Sequence, residues 1–444
     1  MSGRAPDPFA PLPERLAWGK SRRKVLPRAS QAEWRKRPSR PDPVDVLVAA
    51  NRGRLPDVLP IKWSRMAASP FGFFRGAVPV MARDLAGQRV TGLNVQMCGD
   101  AHVRNLGAYA APDGHLVFDI NDFDETMPGP WEWDVKRLAT SFVLAGREAG
   151  LKKGVCLEAV AVLVASWRDA LWRAARMPAL EIARAHVKRL TRAAPVHAIL
   201  AKAERASPAH VLGKLTVGPK DHRRLASRPP LLCRVPKAEA RRVLGAVARY
   251  RETVSDDRQL VLDAYRPVDV AFKVVGTGSV GTRDYAVLCF GAAPDDPLFL
   301  QVKEEPASAW AAYVPKVKRP RHEGQRVAQG QHRMQSLSDP FLGWTTLDGR
   351  DFLVRQLADH KASLEPDDLG GGALVAYARV TGEVFGMAHA RTGDVAVLAG
   401  YAGRAARLDE AIAAFALAYA AQTEEDFGRF VEAVRAGRLR VRRT

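Results

Sequence analysis

Two loops suited to phosphate chemistry lie about 170 residues apart, in an order that dictates how the chain must double back. The first, Cys98-Gly99-Asp100-Ala101-His102-Val103-Arg104-Asn105, sets an Asp five positions before an Asn, the spacing with which a catalytic loop presents a base and a metal-binding amide. The second, Gly276-Thr277-Gly278-Ser279-Val280-Gly281, is followed by Lys303 in the strand-like run LFLQVK. In the usual arrangement of such parts the glycine loop and its lysine come first. Here they come last, so the halves can cooperate only in a circularly permuted α+β fold of two lobes. The helical catalytic lobe is expected first, a small antiparallel sheet second, and C-terminal helices return to the helical lobe.

Local patterns divide the chain accordingly. Residues 1–45 are rich in Pro, Arg and Lys without a sustained period and read as a basic, poorly ordered arm or a segment draped over the body. Residues 46–250 are expected as the helical lobe, entered by a strand at 90–97 and a hairpin around the turn Pro112-Asp113-Gly114. Strand-like runs over 251–362 predict the sheet lobe, and helical periodicity over 363–444 predicts the closing helices. The chain is long enough, and at 47% hydrophobic apolar enough, for two cores.

The formal charge of +20 favours anionic ligands. Nucleic acid is a weak expectation, because basic residues are spread along the whole chain and no nucleic-acid module is visible. Cys98, Cys156, Cys233 and Cys289 form no C-x-x-C pair, which argues against a zinc ribbon or a disulfide framework. With no apolar signal core and no run long enough to span a membrane, a cytoplasmic protein is expected.

The glycine loop leads into an alternating strand, Arg283 to Phe290, rather than a helix. That context disfavours a dinucleotide fingerprint and, without Gly-Lys-Ser/Thr, a P-loop. It favours a hairpin whose Gly276, Gly278, Ser279 and Gly281 let the backbone fold over nucleotide phosphates, with Lys303 pairing to them and Glu323, on the next helical segment, holding the lysine. Glu304 and Glu305 are fallback partners. Residues 98–137 gather Asp100, Asp119, Asp122, Asp124, Glu125 and Asp134, a clustering that is costly unless a cation offsets it; hard oxygen donors suit Mg²⁺. His102 and His389 read as structural residues.

Gly-Asp-x-His-x-x-Asn followed by a hairpin and Asn-Asp-Phe-Asp resembles the catalytic region of aminoglycoside phosphotransferases and choline kinases. The resemblance implies that Asp100 is the catalytic base, Asn105 the first metal ligand, Asp122 the principal metal-binding carboxylate, and Asp134 a structural residue holding the loop. Cys98 stands where these kinases often have His. Asp119, 14 residues after Asn105, lies close to ordinary kinase spacing and competes with Asp122 for the metal. Together with Phe73-Phe74-Arg75-Gly76 and Val354-Arg355-Gln356-Leu357, the stretch more closely resembles a bacterial family catalogued as domain of unknown function 2252, from about residue 45 to 437. The expected activity is phosphoryl transfer from Mg-ATP to an acceptor the sequence does not identify. A nucleotide-binding pseudokinase and a metal-dependent phosphohydrolase are the alternatives.

Overall fold

Apolar residues at helical spacing build the larger body. Helices Trp131–Glu148, Lys153–Ala174, Ala373–Thr392, Val395–Ala402 and Arg407–Arg435 share one core containing Phe142, Leu163, Trp167, Tyr377 and Phe415. The computed structural model describes residues 5–185, 193–205, 208–274, 276–314, 317–357, 362–364, 366–370 and 372–442. Glycines set the closest crossing: a Cβ on Gly382 would overlap Leu163 O, and one on Gly386 would lie 2.8 Å from Trp167 O. Gly382→Leu should therefore force the two helices apart and destabilise the protein by roughly 1–3 kcal/mol. The measurement is a urea midpoint at constant slope, and an unchanged midpoint would mean that the crossing has room to spare.

The second body is an antiparallel sheet of six strands in the order Gly343–Leu347, Arg350–Gln356, Pro297–Glu304, Asp284–Phe290, Arg266–Lys273, Leu232–Arg234. Its period of two sorts the side chains. Tyr285, Val287, Leu298, Leu300 and Val302 face the helix Lys237–Tyr250, whereas Ala286, Leu288 and Phe299 lie on the other face. Gln301 and Lys303 share the parity of Phe299, which points the lysine away from the covering helix. The sheet body begins earlier than the expected boundary at 251, since Leu232–Arg234 and Lys237–Tyr250 belong to it. A three-residue strand between Pro230 and Pro236 carries no alternation to read.

The N-terminal segment is more ordered than its composition suggests. Leu12–Ser21 is helical, and Arg15 pairs with Asp394 at 2.7 Å. Arg23 donates to Gly400 O and Tyr401 O, and Arg28 to Ala402 O, so arginines bind the last-turn carbonyls of Val395–Ala402, which carry the negative end of the helix dipole. Arg40, 6% exposed, bridges Asp84 and Asp426.

Strand Asn94–Met97 pairs antiparallel with Met127–Pro130 and leads into the first loop. The hairpin Leu106–Ala110 with Leu116–Ile120 follows, joined at its edge by Ala362–Ser363. The C-terminal end of helix Ala373–Thr392 comes back to this place: a Cβ on Gly393 would lie 3.2 Å from Asn94 O. Among the described residues no helix is long and apolar enough to cross a membrane.

Candidate functional site

The loop after Asn94–Met97 is fixed before its reactive groups are placed. Gly99 has φ +82°, and a Cβ there would overlap Glu125 O, so both the turn and the packing require glycine. Asp134, on helix Trp131–Glu148, accepts from Cys98 N at 2.6 Å and Gly99 N at 2.9 Å, while Trp310 Nε1 donates to Gly99 O. Buried His389 backs this carboxylate, its Nε2 at 3.4 Å from Asp134 Oδ2. Asn105 Nδ2 donates to Asp100 O at 3.0 Å and Asp122 O at 2.9 Å, tying the two acidic loops together and leaving its carbonyl oxygen as the remaining polar atom.

Asp100 faces a cleft. Its Oδ1 accepts from Nε and Nη2 of Arg137 at 2.9 and 2.6 Å, and its Oδ2 lies 3.8 Å from His102 Nε2. Burial pushes the Asp100 carboxyl up, against the pull of Arg137. Burial and the surrounding arginines hold His102 well below its ordinary value, so its ring is neutral.

The glycine loop forms the roof over this floor. Gly276 and Gly281 have positive φ, and a Cβ on Gly278 would sit 3.9 Å from Asp100 Oδ2. Ser279 Oγ donates to Asp124 Oδ2 at 2.9 Å across 155 residues of sequence. Cations from the segment before the acidic loop hold the roof by its carbonyls: Arg65 bonds Gly276 O, Arg54 bonds Gly278 O and Val280 O at 2.7 Å, and Lys62 bonds Gly278 O at 3.0 Å.

Lys303 reaches the same floor. Its ammonium bonds both carboxylate oxygens of Asp124 and lies 3.9 Å from Asp122 and from Glu305. Lys303 holds Asp124 well below the usual carboxylate range despite burial, while the loss of water around Asp122 and the neighbouring Asp124 charge raise Asp122. Asp122 Oδ1 and both carboxylate oxygens of Glu305 are buried without hydrogen-bond partners. Asp100, Asn105, Asp122, Asp124, Lys62 and Gly276 to Ser279 line one cleft enclosing about 920 Å³, open solvent at its mouth included.

Two expected assignments fail. Glu323 does not hold Lys303; it pairs with Arg319 and Arg326. Buried Arg326 donates to Thr126 O, Asp124 O and Pro306 O and takes the carboxylate as its counter-charge, while Asp124 binds the ammonium and Glu305, just past the end of the lysine's strand, lies 3.9 Å from it. Asp119 does not compete with Asp122. It lies inside the paired strand opposite Gly107, its Oδ1 accepts from Ile120 N, and it is absent from the cleft lining. Among the described residues no three His, Cys, Asp or Glu side chains are grouped to hold a metal ion. Sequence reading also missed Arg137, Arg54, Lys62 and Arg75. Arg137 had a signal, one helical turn after Asp134, and Arg75 stood in the quoted Phe73-Phe74-Arg75-Gly76.

Asp284, 2% exposed and beside Gln301, carries a testable electrostatic cost. Its Oδ2 accepts from Gln301 Nε2 at 2.7 Å, its Oδ1 has no partner, and burial pushes it up to about 6 against the pull of Lys273 and Lys303. Between pH 4 and 6 the folded state thus binds a proton that the unfolded chain has released, so stability falls as pH rises through this window. Asp284→Asn should remove on the order of 2–3 kcal/mol of that fall, measured by urea unfolding at pH 4.5 and 7.5. Parallel pH profiles in variant and wild type would refute it.

Neither curated proteins nor solved structures yield a match to the chain. The family model described as "Uncharacterized protein conserved in bacteria (DUF2252)" matches residues 54–433. That span takes in Arg54, Lys62 and Arg65, both loops, Lys303 and the helix bearing His389, and the chain belongs to this bacterial family.

Proposed function

We propose that the chain is an ATP-dependent phosphotransferase of kinase-like build with its two lobes circularly permuted. The observation that carries this reading is the meeting of roof and floor: Gly278 stands over Asp100, and Lys303 reaches Asp124 across 179 residues of sequence. The permutation is supported by Gly393 abutting Asn94, where an unpermuted chain would run from helix into catalytic strand.

The donor set suits Mg²⁺, since Asp122 Oδ1 is buried without a hydrogen-bond partner and Asn105, whose amide nitrogen bonds Asp122 O, lines the same cleft. Bound there, the ion would neutralise charge on the nucleotide phosphates. The chain's own residues supply the rest. Glycine-loop amides and Lys303 hold the phosphates in line, and an incoming nucleotide draws Lys303 from Asp124. Asp100, oriented by Arg137, accepts a proton from the acceptor hydroxyl, and Asp134 keeps its loop in place.

The test is nucleotide-dependent thermal stabilisation with and without Mg²⁺. A ligand at a hundred times its Kd stabilises by about 2.7 kcal/mol, and both Lys303→Ala and Asp122→Ala should lose the Mg-ATP shift. Shifts unchanged in both variants would refute the site. Binding without transfer across an acceptor screen would favour a pseudokinase, and ester hydrolysis without ATP a phosphohydrolase.

A further inference from the structure

The cleft is electrically two-ended. At the Lys303 end the oxygens without hydrogen-bond partners belong to acids, Asp122 on the lining and Glu305 behind it, both 3.9 Å from the lysine. At the Asp100 end the lining gathers Lys62, Arg75, His102 and Arg104, and Arg137 already binds one oxygen of the Asp100 carboxylate through two nitrogens. The other acids of the lining are also engaged: Asp124 by Lys303, Glu304 by Arg283 and Arg350, and Glu125 by the amide of Ala309.

Two groups at the Asp100 end are buried and under-used. Lys62 is 3% exposed, yet its ammonium, which can donate three hydrogen bonds, makes one, to Gly278 O. His102 is 5% exposed and its Nδ1 has no partner. Burying an ammonium beside Arg54 and short of bonds is costly unless an anion completes the set. Burial and Arg54 indeed depress the basicity of Lys62 well below the ordinary lysine value, a penalty that an arriving anion reverses.

We propose that the acceptor is a small hydroxyl compound carrying its own anionic group, which docks against Lys62, Arg75, His102 and Arg104 while its hydroxyl meets Asp100. This deepens the phosphotransfer reading and rests on it. In the step so arranged, the acceptor oxygen forms a bond to the γ-phosphorus as the bond from that phosphorus to the β–γ bridging oxygen breaks. The hydroxyl proton passes to Asp100, and ADP leaves. Neutral hydroxyl compounds lack the group that the cations hold, so they present their oxygen without an anchor.

Glycerol 3-phosphate, glycerate and glycerol serve as probes, each titrated by thermal shift against wild type, Lys62→Met and Arg104→Gln, with Mg-ADP read separately. Glycerol 3-phosphate or glycerate should stabilise wild type where glycerol does not, and the stronger of the two tells phosphate from carboxylate. Arg104→Gln, a change at a partly buried position outside the glycine roof, should weaken that response at least tenfold and leave the Mg-ADP shift in place; Lys62→Met, which also frees Gly278 O in that roof, should weaken the anion response by at least as much. Equal responses to the charged and neutral probes would overturn the proposal, as would loss of the anion and Mg-ADP responses together in Arg104→Gln, which would assign these cations to the nucleotide. An anion response that persists where Mg-ADP gives none upholds the anion site and overturns the phosphotransfer reading instead.

Discussion

Arg137→Met is expected to lose about 3–5 kcal/mol of stability, the typical effect of removing one partner from a buried ion pair. The guanidinium is fully buried, grips Asp100 Oδ1 through two nitrogens, donates to Phe74 O at 3.0 Å and lies over the Phe74 ring at 4.3 Å. Without it Asp100 keeps its place but loses its counter-charge, and Phe74 O loses a donor. Adding Asp100→Asn should recover part of the loss, because a neutral amide needs no cation. Urea unfolding of both singles and the double measures this. A loss below about 1 kcal/mol, or no recovery in the double, would reduce Arg137 to a packing residue.

Lys303→Met should be as severe and should reverse a pH slope. The ammonium, 2% exposed, is the cation shared by Asp124, Asp122 and Glu305. In wild type the folded carboxyl of Asp124 is depressed, so its contribution is present above the unfolded value near 4 and is lost as pH falls toward the folded one. Remove the lysine and burial with like charges pushes that carboxyl up, so the folded state takes protons first and stability falls as pH rises. The expected deficit is about 3–5 kcal/mol at neutral pH, shrinking toward pH 4. A deficit constant from pH 4 to 8 would show that Lys303 does not act as the counter-charge of these acids.

Much of the site was legible because its parts sit in stretches with strict local rules. The run LFLQVK put Lys303 in a strand, the resemblance gave Asp134 the task of holding the first loop, and the strand that follows the glycine run favoured a hairpin there. What escaped depended on distant carbonyls. Arginines of residues 1–45 look like excess charge until they are seen on the open end of Val395–Ala402, and Lys62 carries no motif because its partner is a backbone oxygen more than 200 residues away. Glu323 misled because its spacing from Lys303 was right while a nearer cation, Arg326, lay one turn along its own helix. Asp119 misled because counting residues ignores register, which turns it away from the cleft where Asp122, just past the strand's end, is free to enter.

Arg40 waits for Asp426, 386 residues downstream. At about 5–20 residues per second on the ribosome, this guanidinium spends roughly 20–80 s without one of its two acids, and the acidic floor emerges well before its glycine roof. The roof thus cannot meet the floor before residue 303 has been made, and the Arg40 bridge closes only after residue 426. A stalled or prematurely ended product would display bare carboxylates and stranded arginines to whatever surveys incomplete chains.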